Sequence, residues 1–202
     1  PTQLAAHLDE SLSQLGTDYV DVFFLHGVAL PDYEYARDVL APAILKERDK
    51  GKFRHLGITE PAANDPEQST IRRAVDDPKC WDAMMLAFHM LHQTAREHVF
   101  PKTRAGGVGT AMMYVVRNIF SQPGVLVRTV QNLISEGRLD PDGIDPGDPL
   151  GFLAGSSESL IDAAYRFARH QRGADTVLFG TGNPDHLKAN IESILRPPLP
   201  DA

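Results

Sequence analysis

Residues 8–27 read LDESLSQLGTDYVDVFFLHG, and this stretch holds the order of elements on which the fold depends. The leucines at its start belong to one stripe of an amphipathic helix predicted over 2–15, which Gly16 can end in a left-handed conformation. Residues 18–25 are β-branched and aromatic without a turn residue, so they predict a strand buried on both faces. His26 stands directly after that strand. The stripe consists of Leu4, Leu8, Leu12 and Leu15.

The same alternation continues along the chain. A helix is predicted over 35–50, where Pro42 indicates a kink or a late start. A long loop is expected over 118–157, and its segment 139–149 is rich in Pro, Gly and Asp. Helices alternating with short apolar strands predict βαβ units and a parallel sheet of five strands. An open doubly wound sheet and a (β/α)₈ barrel both fit this alternation. The other predicted helices span 67–75, 158–169 and 184–195, and the other predicted strands span 54–59, 83–88, 108–116 and 176–179.

Composition excludes several classes of function. The 202 residues carry a net charge of −7 with scattered Lys and Arg, so we expect no nucleic-acid partner. No apolar run approaches the roughly 18 residues of a membrane span, so no membrane partner is expected. Cys80 is the single cysteine, which favours a cytoplasmic setting. His89, His92 and His98 lack the spacing of a zinc set, and no metal site is predicted.

Four segments together resemble the aldo-keto reductase family. They are LDESLSQLGTDYVDVFFLHG, GKFRHLGITE at 51–60, WDAMMLAFHMLHQTAREHVFP at 81–101 and LFGTGNPDHLKANIES at 178–193. The resemblance implies a (β/α)₈ TIM barrel that is here incomplete, with about five of its eight strands. Residues 1–202 would form a single domain, the C-terminal portion of the barrel from the helix after strand three onward.

The resemblance also implies an activity and a catalytic histidine. The family moves a hydride between NADP(H) and a small-molecule carbonyl or alcohol substrate. Active sites of this fold lie at the carboxyl ends of the strands, where the imidazole of His26 could donate to a carbonyl oxygen and orient the substrate. The family's catalytic Asp, Tyr and Lys have no counterpart here, so we expect a fragment that is inactive alone. The alternative is a non-catalytic member that binds a nucleotide or serves a regulatory or structural role.

The glycine-rich turn after the last strand is predicted to hold the adenosine-phosphate end of the cofactor. A turn leading into a helix points backbone N–H groups and the positive helix end at one place, where anions bind. The family often has a Lys and an Arg that hold the 2′-phosphate, but Gly180 and His186 occupy those positions. NADP(H) is still favoured over NAD(H). The same residues also predict an ordinary helix start, with Asn183 as N-cap and Pro184 at the first helical position. The resemblance assigns cofactor contacts to Gly180, Thr181, Gly182, Asn183, His186 and Asn190.

The nicotinamide end departs further from the family pattern. Thr59 matches the usual Ser, whereas Glu60 replaces an Asn and Met85 replaces a Gln. Glu60 can accept from a carboxamide NH₂ but, when ionised, cannot donate to its oxygen. Met113 occupies the ring-stacking position, where a thioether packs less rigidly than an aromatic ring. The resemblance thus predicts a cofactor site with an altered nicotinamide grip.

Overall fold

The computed structural model describes residues 1–200 and contains a five-stranded sheet. The strands lie side by side in sequence order, and β1 pairs with β2, and β2 with β3, in parallel register. A doubly wound sheet reverses its strand order at a switch point, and this sheet does not, so its topology is that of a barrel. The strands are β1 Val20–Leu25, β2 Phe53–Thr59, β3 Ala83–Ala87, β4 Gly109–Met113 and β5 Thr176–Val177.

The described chain divides into two compact units. The first unit comprises residues 1–87 and 93–111, and the second comprises 88–92 and the described residues from 112 onward. Strand β4 begins in the first unit and ends in the second. The expectation of a single domain over 1–202 stays a prediction.

In the first unit the opening helix has the predicted bounds. Leu8 and Leu12 of its stripe are buried, and Gly16 ends the helix at φ 66°, a conformation that costs glycine nothing. The predicted helix over 35–50 is not one regular α-helix but is divided into shorter segments. A π-helical turn at Ala36–Leu40 precedes the segment containing Pro42, whose missing N–H interrupts the regular ladder. The helices of this unit are α1 Thr2–Leu15, α2 Tyr33–Tyr35, α3 Ala41–Arg48, α4 Ser69–Ala74, α5 Thr94–His98 and α6 Phe100–Gly106.

Strand β1 is less buried than its sequence predicts. Leu25 is buried, but Val22 keeps 36% of its surface exposed and Asp21 is exposed. The prediction of burial on both faces is therefore wrong for this strand. The physical reason is that β1 is the first strand of the sheet and pairs only with β2. Its apolar run therefore correctly indicates a strand, but other elements do not cover both faces of that strand.

The second unit contains two helices in a region that was expected to be a loop. The predicted long loop over 118–157 is wrong in part, because α8 buries Leu126 and Val130 on one face. Farther along, α9 packs against α10, and Ala163, Ala164 and Ala168 of α9 are buried. No helix among the described residues is long and apolar enough to span a membrane. The helices of this unit are α7 Asn118–Ser121, α8 Val125–Ser135, α9 Leu160–Arg169 and α10 Pro184–Leu195.

Candidate functional site

The turn after β1 presents His26 and is fastened to the end of β2. The Gly27 N–H donates to Thr59 Oγ1 at 2.7 Å, and the Val28 N–H donates to the Thr59 carbonyl at 3.0 Å. Gly27 has φ 64°, so a side chain there would strain the turn. His26 itself is exposed, while Thr59 is buried. Thr59 thus holds the backbone beside His26, through its hydroxyl oxygen and its carbonyl oxygen.

Glu60 is buried in a closed set of hydrogen bonds that we name the Glu60 clamp, formed by Glu60, Gln68 and Ala87. Glu60 Oε1 accepts from the Ala87 N–H at 2.7 Å and from Gln68 Nε2 at 3.1 Å. Gln68 Nε2 also donates to the Ala87 carbonyl at 2.8 Å. The clamp satisfies both backbone groups of the last residue of β3 and joins it to the end of β2.

The second oxygen of Glu60 has a different environment. Glu60 Oε2, Gln68 Oε1 and Thr70 Oγ1 are buried and have no hydrogen-bond partner among the described residues. Burial raises the pKa of Glu60 to about 7, even though the Ala87 and Gln68 hydrogen bonds favour the ionised form. The carboxyl can therefore hold a proton near neutral pH, and only Oε2 remains for a further partner.

The end of β4 carries an unusual backbone. Tyr114 has φ 60°, which is rare for an aromatic residue, and its side chain is 45% exposed. The Arg117 guanidinium lies 4.9 Å from the centroid of the Tyr114 ring. This conformation ends β4 at Met113, which is why the strand is shorter than the predicted 108–116. Non-glycine residues held in this region cluster at ligand sites.

A cavity of about 910 Å³, which we name the final-turn cavity, lies within the second unit. It is bounded by the turn after β5, by α9 and α10, and by the residues that follow β4. Its volume falls in the range of pockets that hold cofactors, roughly 300–1,000 Å³. Five predicted cofactor residues line it, namely Met113, Gly180, Thr181, His186 and Asn190.

The start of α10 is organised by its own polar residues. Asn183 Oδ1 accepts from the Asp185 N–H at 2.9 Å, and Thr181 Oγ1 accepts from the Asn183 N–H at 3.1 Å. Asn183 is therefore the N-cap, with Pro184 in the first turn, and this capping function was foreseen from the sequence. The turn and the start of α10 thus bring hydroxyl, imidazole and amide groups to the cavity lining, whereas Thr59 and Glu60 accept hydrogen bonds from their own protein.

Comparison with known proteins decides the family. The model of the Aldo/keto reductase family matches residues 1–133. The chain belongs to the aldo/keto reductase family. The matched residues include β1 to β4 and end before the turn that follows β5.

Solved aldo-keto reductases share the fold across nearly the whole chain. The holo form of aldo-keto reductase AKR11C1 from Bacillus halodurans has a TM-score of 0.65 at 21% identity, covering 97% of this chain and 62% of that one. An aldo/keto reductase from Brucella melitensis has a TM-score of 0.61 at 16% identity, covering 97% and 63%. The chain thus spans less than two thirds of these relatives and forms a partial (β/α)₈ barrel, as the sequence predicted.

The predicted site residues of this family member fall into separate groups. His26, Thr59, Glu60 and Met85 lie in the first unit, where Met85 is half-buried on β3. Gly182 and Asn183 are exposed in the second unit and do not line the final-turn cavity. His89 is buried in the second unit, and burial lowers its pKa to about 4. Among residues 1–200 no group of three potential metal ligands is close enough to hold an ion.

An ion network on one wall of the final-turn cavity had not been recognised in the sequence. Arg196 donates to Asp162 Oδ1 at 3.0 Å and lies 2.7 Å from Glu158 Oε1. Arg166 donates to Asp162 Oδ2 at 3.1 Å and to the carbonyls of Pro197 and Pro198. The spacing of Asp162 and Arg166 by four residues was a readable signal for an ion pair. The part played by Arg196 depends on tertiary packing, so no local pattern announced it.

Proposed function

We propose that the protein is an oxidoreductase that transfers a hydride between a nicotinamide dinucleotide and a small carbonyl or alcohol substrate. The observation that carries this proposal is the final-turn cavity, which gathers five predicted cofactor residues. Family membership and the partial barrel support it. When bound, the dinucleotide supplies or accepts the hydride.

The protein's own residues would bind the dinucleotide and orient the substrate. Thr181, His186 and Asn190 line the cavity and offer hydroxyl, imidazole and amide groups to the adenosine-phosphate end. Met113 and Tyr114 offer apolar surface in the same lining. The imidazole of His26 would donate to a substrate carbonyl oxygen, held in place by the backbone bonds of its turn to Thr59.

The proton donor is proposed to lie outside these 202 residues. The resemblance assigns strands four to eight of the barrel to this chain and finds no counterpart for the family's Asp, Tyr and Lys in it. The chain alone would therefore bind but would not reduce substrate efficiently. Lone Cys80 supports a cytoplasmic location, which is part of the same proposal.

The test measures carbonyl reduction by the full-length gene product. Consumption of reduced nicotinamide cofactor is followed over a panel of aldehydes and ketones. The variant His26→Gln should lose about 100-fold in kcat, because the donor to the carbonyl is displaced. The matched control His7→Gln, on the exposed side of α1, should leave kcat unchanged. Full activity in the His26 variant would remove the catalytic assignment.

A second function is favoured by one specific observation. Thr59 Oγ1 accepts from Gly27, and Glu60 Oε1 accepts from Ala87 and Gln68, so two expected nicotinamide contacts serve the protein itself. A nucleotide-binding member without reductase activity would tolerate this arrangement. Dinucleotide binding without turnover of any carbonyl in the panel would establish this second function, whereas turnover would reject it.

A further inference from the structure

We propose that the folded protein keeps Glu60 as a neutral carboxylic acid and that its proton maintains the turn that presents His26. Glu60 would thus be a positioning residue that acts on His26 through Thr59. The inference rests on the proposed function where it concerns catalysis by His26. The protonation of Glu60 and the order of the turn are measurable without any turnover.

The hydrogen bonds of the Glu60 clamp leave two buried acceptors without a donor. Gln68 Nε2 donates to Glu60 Oε1 and to the Ala87 carbonyl, and the Ala87 N–H also donates to Glu60 Oε1. These donors are therefore in use, while Glu60 Oε2 and Gln68 Oε1 have no partner among residues 1–200. A proton on Oε2 turns one of the two acceptors into a donor, which an ionised carboxylate does not provide.

The electrostatic environment of the carboxyl group also favours its neutral form. Glu60 is only 3% exposed, and this burial raises its pKa to about 7. The carboxylate of Asp65 acts in the same direction. The hydrogen bonds from Ala87 and Gln68 act against the effect of burial without cancelling it. Glu60 therefore releases its proton close to neutral pH, where a small change in pH alters its charge.

The elements around the end of β2 bring no cation that pairs with Glu60 among residues 1–200. Strand β3 has no charged side chain. On α4, Arg72 and Arg73 lie 4.0 Å and 2.8 Å from other carboxylates. His26, after β1, is exposed to solvent. An ionised Glu60 would therefore be a buried charge without an ion pair, which is a costly state.

A short connection joins Glu60 to the turn of His26. Glu60 directly follows Thr59. The Thr59 hydroxyl accepts from the Gly27 N–H at 2.7 Å, and the Thr59 carbonyl accepts from the Val28 N–H at 3.0 Å. An ionised Glu60 would gain water only if the end of β2 opened. That opening would break the two bonds and release the backbone beside His26.

The direction of the pH effect follows from the closed and the opened turn. In the closed turn the pKa of Glu60 is about 7, and in an opened, hydrated turn it would take an ordinary value of about 4.3. Between these values the closed turn binds more protons, so it is favoured at low pH and loses that advantage as pH rises to about 7. From pH 6 to pH 8 the ratio of closed to opened turns should fall about tenfold.

The test follows Glu60 and the turn in the full-length gene product. Infrared difference spectra between the unmodified protein and Glu60→Gln should contain the C=O band of a protonated carboxylic acid at pH 6 and little of it at pH 8. Hydrogen exchange of peptides covering residues 24–29, corrected for the intrinsic effect of pH, should lose about tenfold in protection over the same range. Glu60→Gln retains an acceptor and adds an uncharged donor, so it should lack this step.

The matched control is Glu67→Gln. Glu67 belongs to the same loop between β2 and α4, its side chain is 77% exposed, and it is not part of the clamp. This variant should therefore keep the whole pH step. Absence of the acid band at pH 6 would overturn the inference, and so would an equal step in Glu60→Gln.

The effect on catalysis is measured as kcat against pH over the carbonyl panel. The ratio of kcat in the unmodified protein to kcat in Glu60→Gln should fall by up to about tenfold from pH 6 to pH 8, following the protonated fraction of Glu60. A constant ratio would overturn the positioning role. Reduction of no carbonyl at any pH would overturn the proposed function and the positioning role with it, while the acid band would still establish or reject the proton on Glu60.

Discussion

The carboxyl end of β2 and the turn after β5 use similar polar residues in opposite ways. At the end of β2, the side chains of Thr59 and Glu60 are buried and accept hydrogen bonds from the protein's own backbone and Gln68. At the turn after β5, Thr181, His186 and Asn190 line a cavity of about 910 Å³. The first region uses its polar groups to hold strand ends together. In the second, Thr181 Oγ1 also accepts from the Asn183 N–H at 3.1 Å, while His186 and Asn190 line a space that a ligand can fill.

This difference shows that a residue at a family motif position does not necessarily contact the ligand. Glu60 occupies a cofactor position by resemblance, yet its Oε1 has two protein donors within 3.1 Å. The hydrogen-bond partners of a residue decide whether it can serve a ligand without first breaking a bond that stabilises the fold. Substitutions at β2 should therefore change stability, and substitutions at the final turn should change binding.

The largest expected effect is that of Glu60→Ala. The substitution leaves two buried donors, the Ala87 N–H and one N–H of the Gln68 amide, without their acceptor, and it opens a cavity. We expect a loss of about 3 kcal/mol in the free energy of unfolding, measured by urea denaturation. The control Glu60→Gln keeps an acceptor oxygen and should lose about 1 kcal/mol or less. Equal stability of the Ala variant and the unmodified protein would refute the clamp.

The next effect is a dependence of stability on pH. With its pKa at about 7, folded Glu60 keeps its proton over a range in which the unfolded chain, with an ordinary value of about 4.3, has released it. Between these two values the folded state binds more protons, so the stability contribution of Glu60 falls as pH rises, by up to about 1.4 kcal/mol per pH unit. Urea midpoints from pH 5 to 8 should show this decline in the unmodified protein. A profile of the same slope in Glu60→Gln would assign the decline to other groups.

A smaller effect is expected from Thr59→Val. The valine is close in shape but removes the acceptor of the Gly27 N–H, so we expect a loss of about 1 kcal/mol. The Gly27 amide should also exchange its hydrogen faster, which NMR can follow residue by residue. Thr59→Ser retains the hydroxyl and is the control. If Gly27 exchange is the same in all three proteins, Thr59 does not hold the His26 turn.

The smallest effect on stability is expected at the final turn. Asn190 lines the cavity, and within residues 1–200 its side chain makes no hydrogen bond, so Asn190→Ala should change the free energy of unfolding by less than about 0.5 kcal/mol. The same substitution should weaken ADP binding about tenfold by calorimetry. A loss of stability as large as that of Glu60→Ala would mean that the two regions do not differ as described.

Elements with a strong local pattern were predicted well from the sequence. The bounds of α1 and α10 agree with the prediction, because a leucine stripe with a Gly end and an Asn-Pro start are local signals. The five strands also overlap the five stretches in which the sequence predicted them. Three features that depend on tertiary context were not predicted from the sequence. They are the exposure of Val22 in an edge strand, the left-handed backbone of Tyr114, and the helix α8, which buries Leu126 and Val130.

The candidate site was foreseen as a set of residues but not as a set of bonds. Five lining residues of the final-turn cavity were named beforehand, and so was the cap formed by Asn183. The clamp of Glu60 with Gln68 and Ala87 joins residues up to 27 positions apart, and the pairing of Arg196 with Asp162 spans 34 positions. Such pairings follow from strand and helix packing, which a single sequence does not specify.

The most direct test of the contrast between the two regions is hydrogen exchange with and without saturating ADP, read by mass spectrometry on the full-length gene product. ADP contains the adenosine-phosphate end and lacks nicotinamide. The account predicts slower exchange in peptides that cover residues 178–195 and unchanged exchange in peptides that cover 57–60. Protection of 57–60 with none at 178–195 would contradict it.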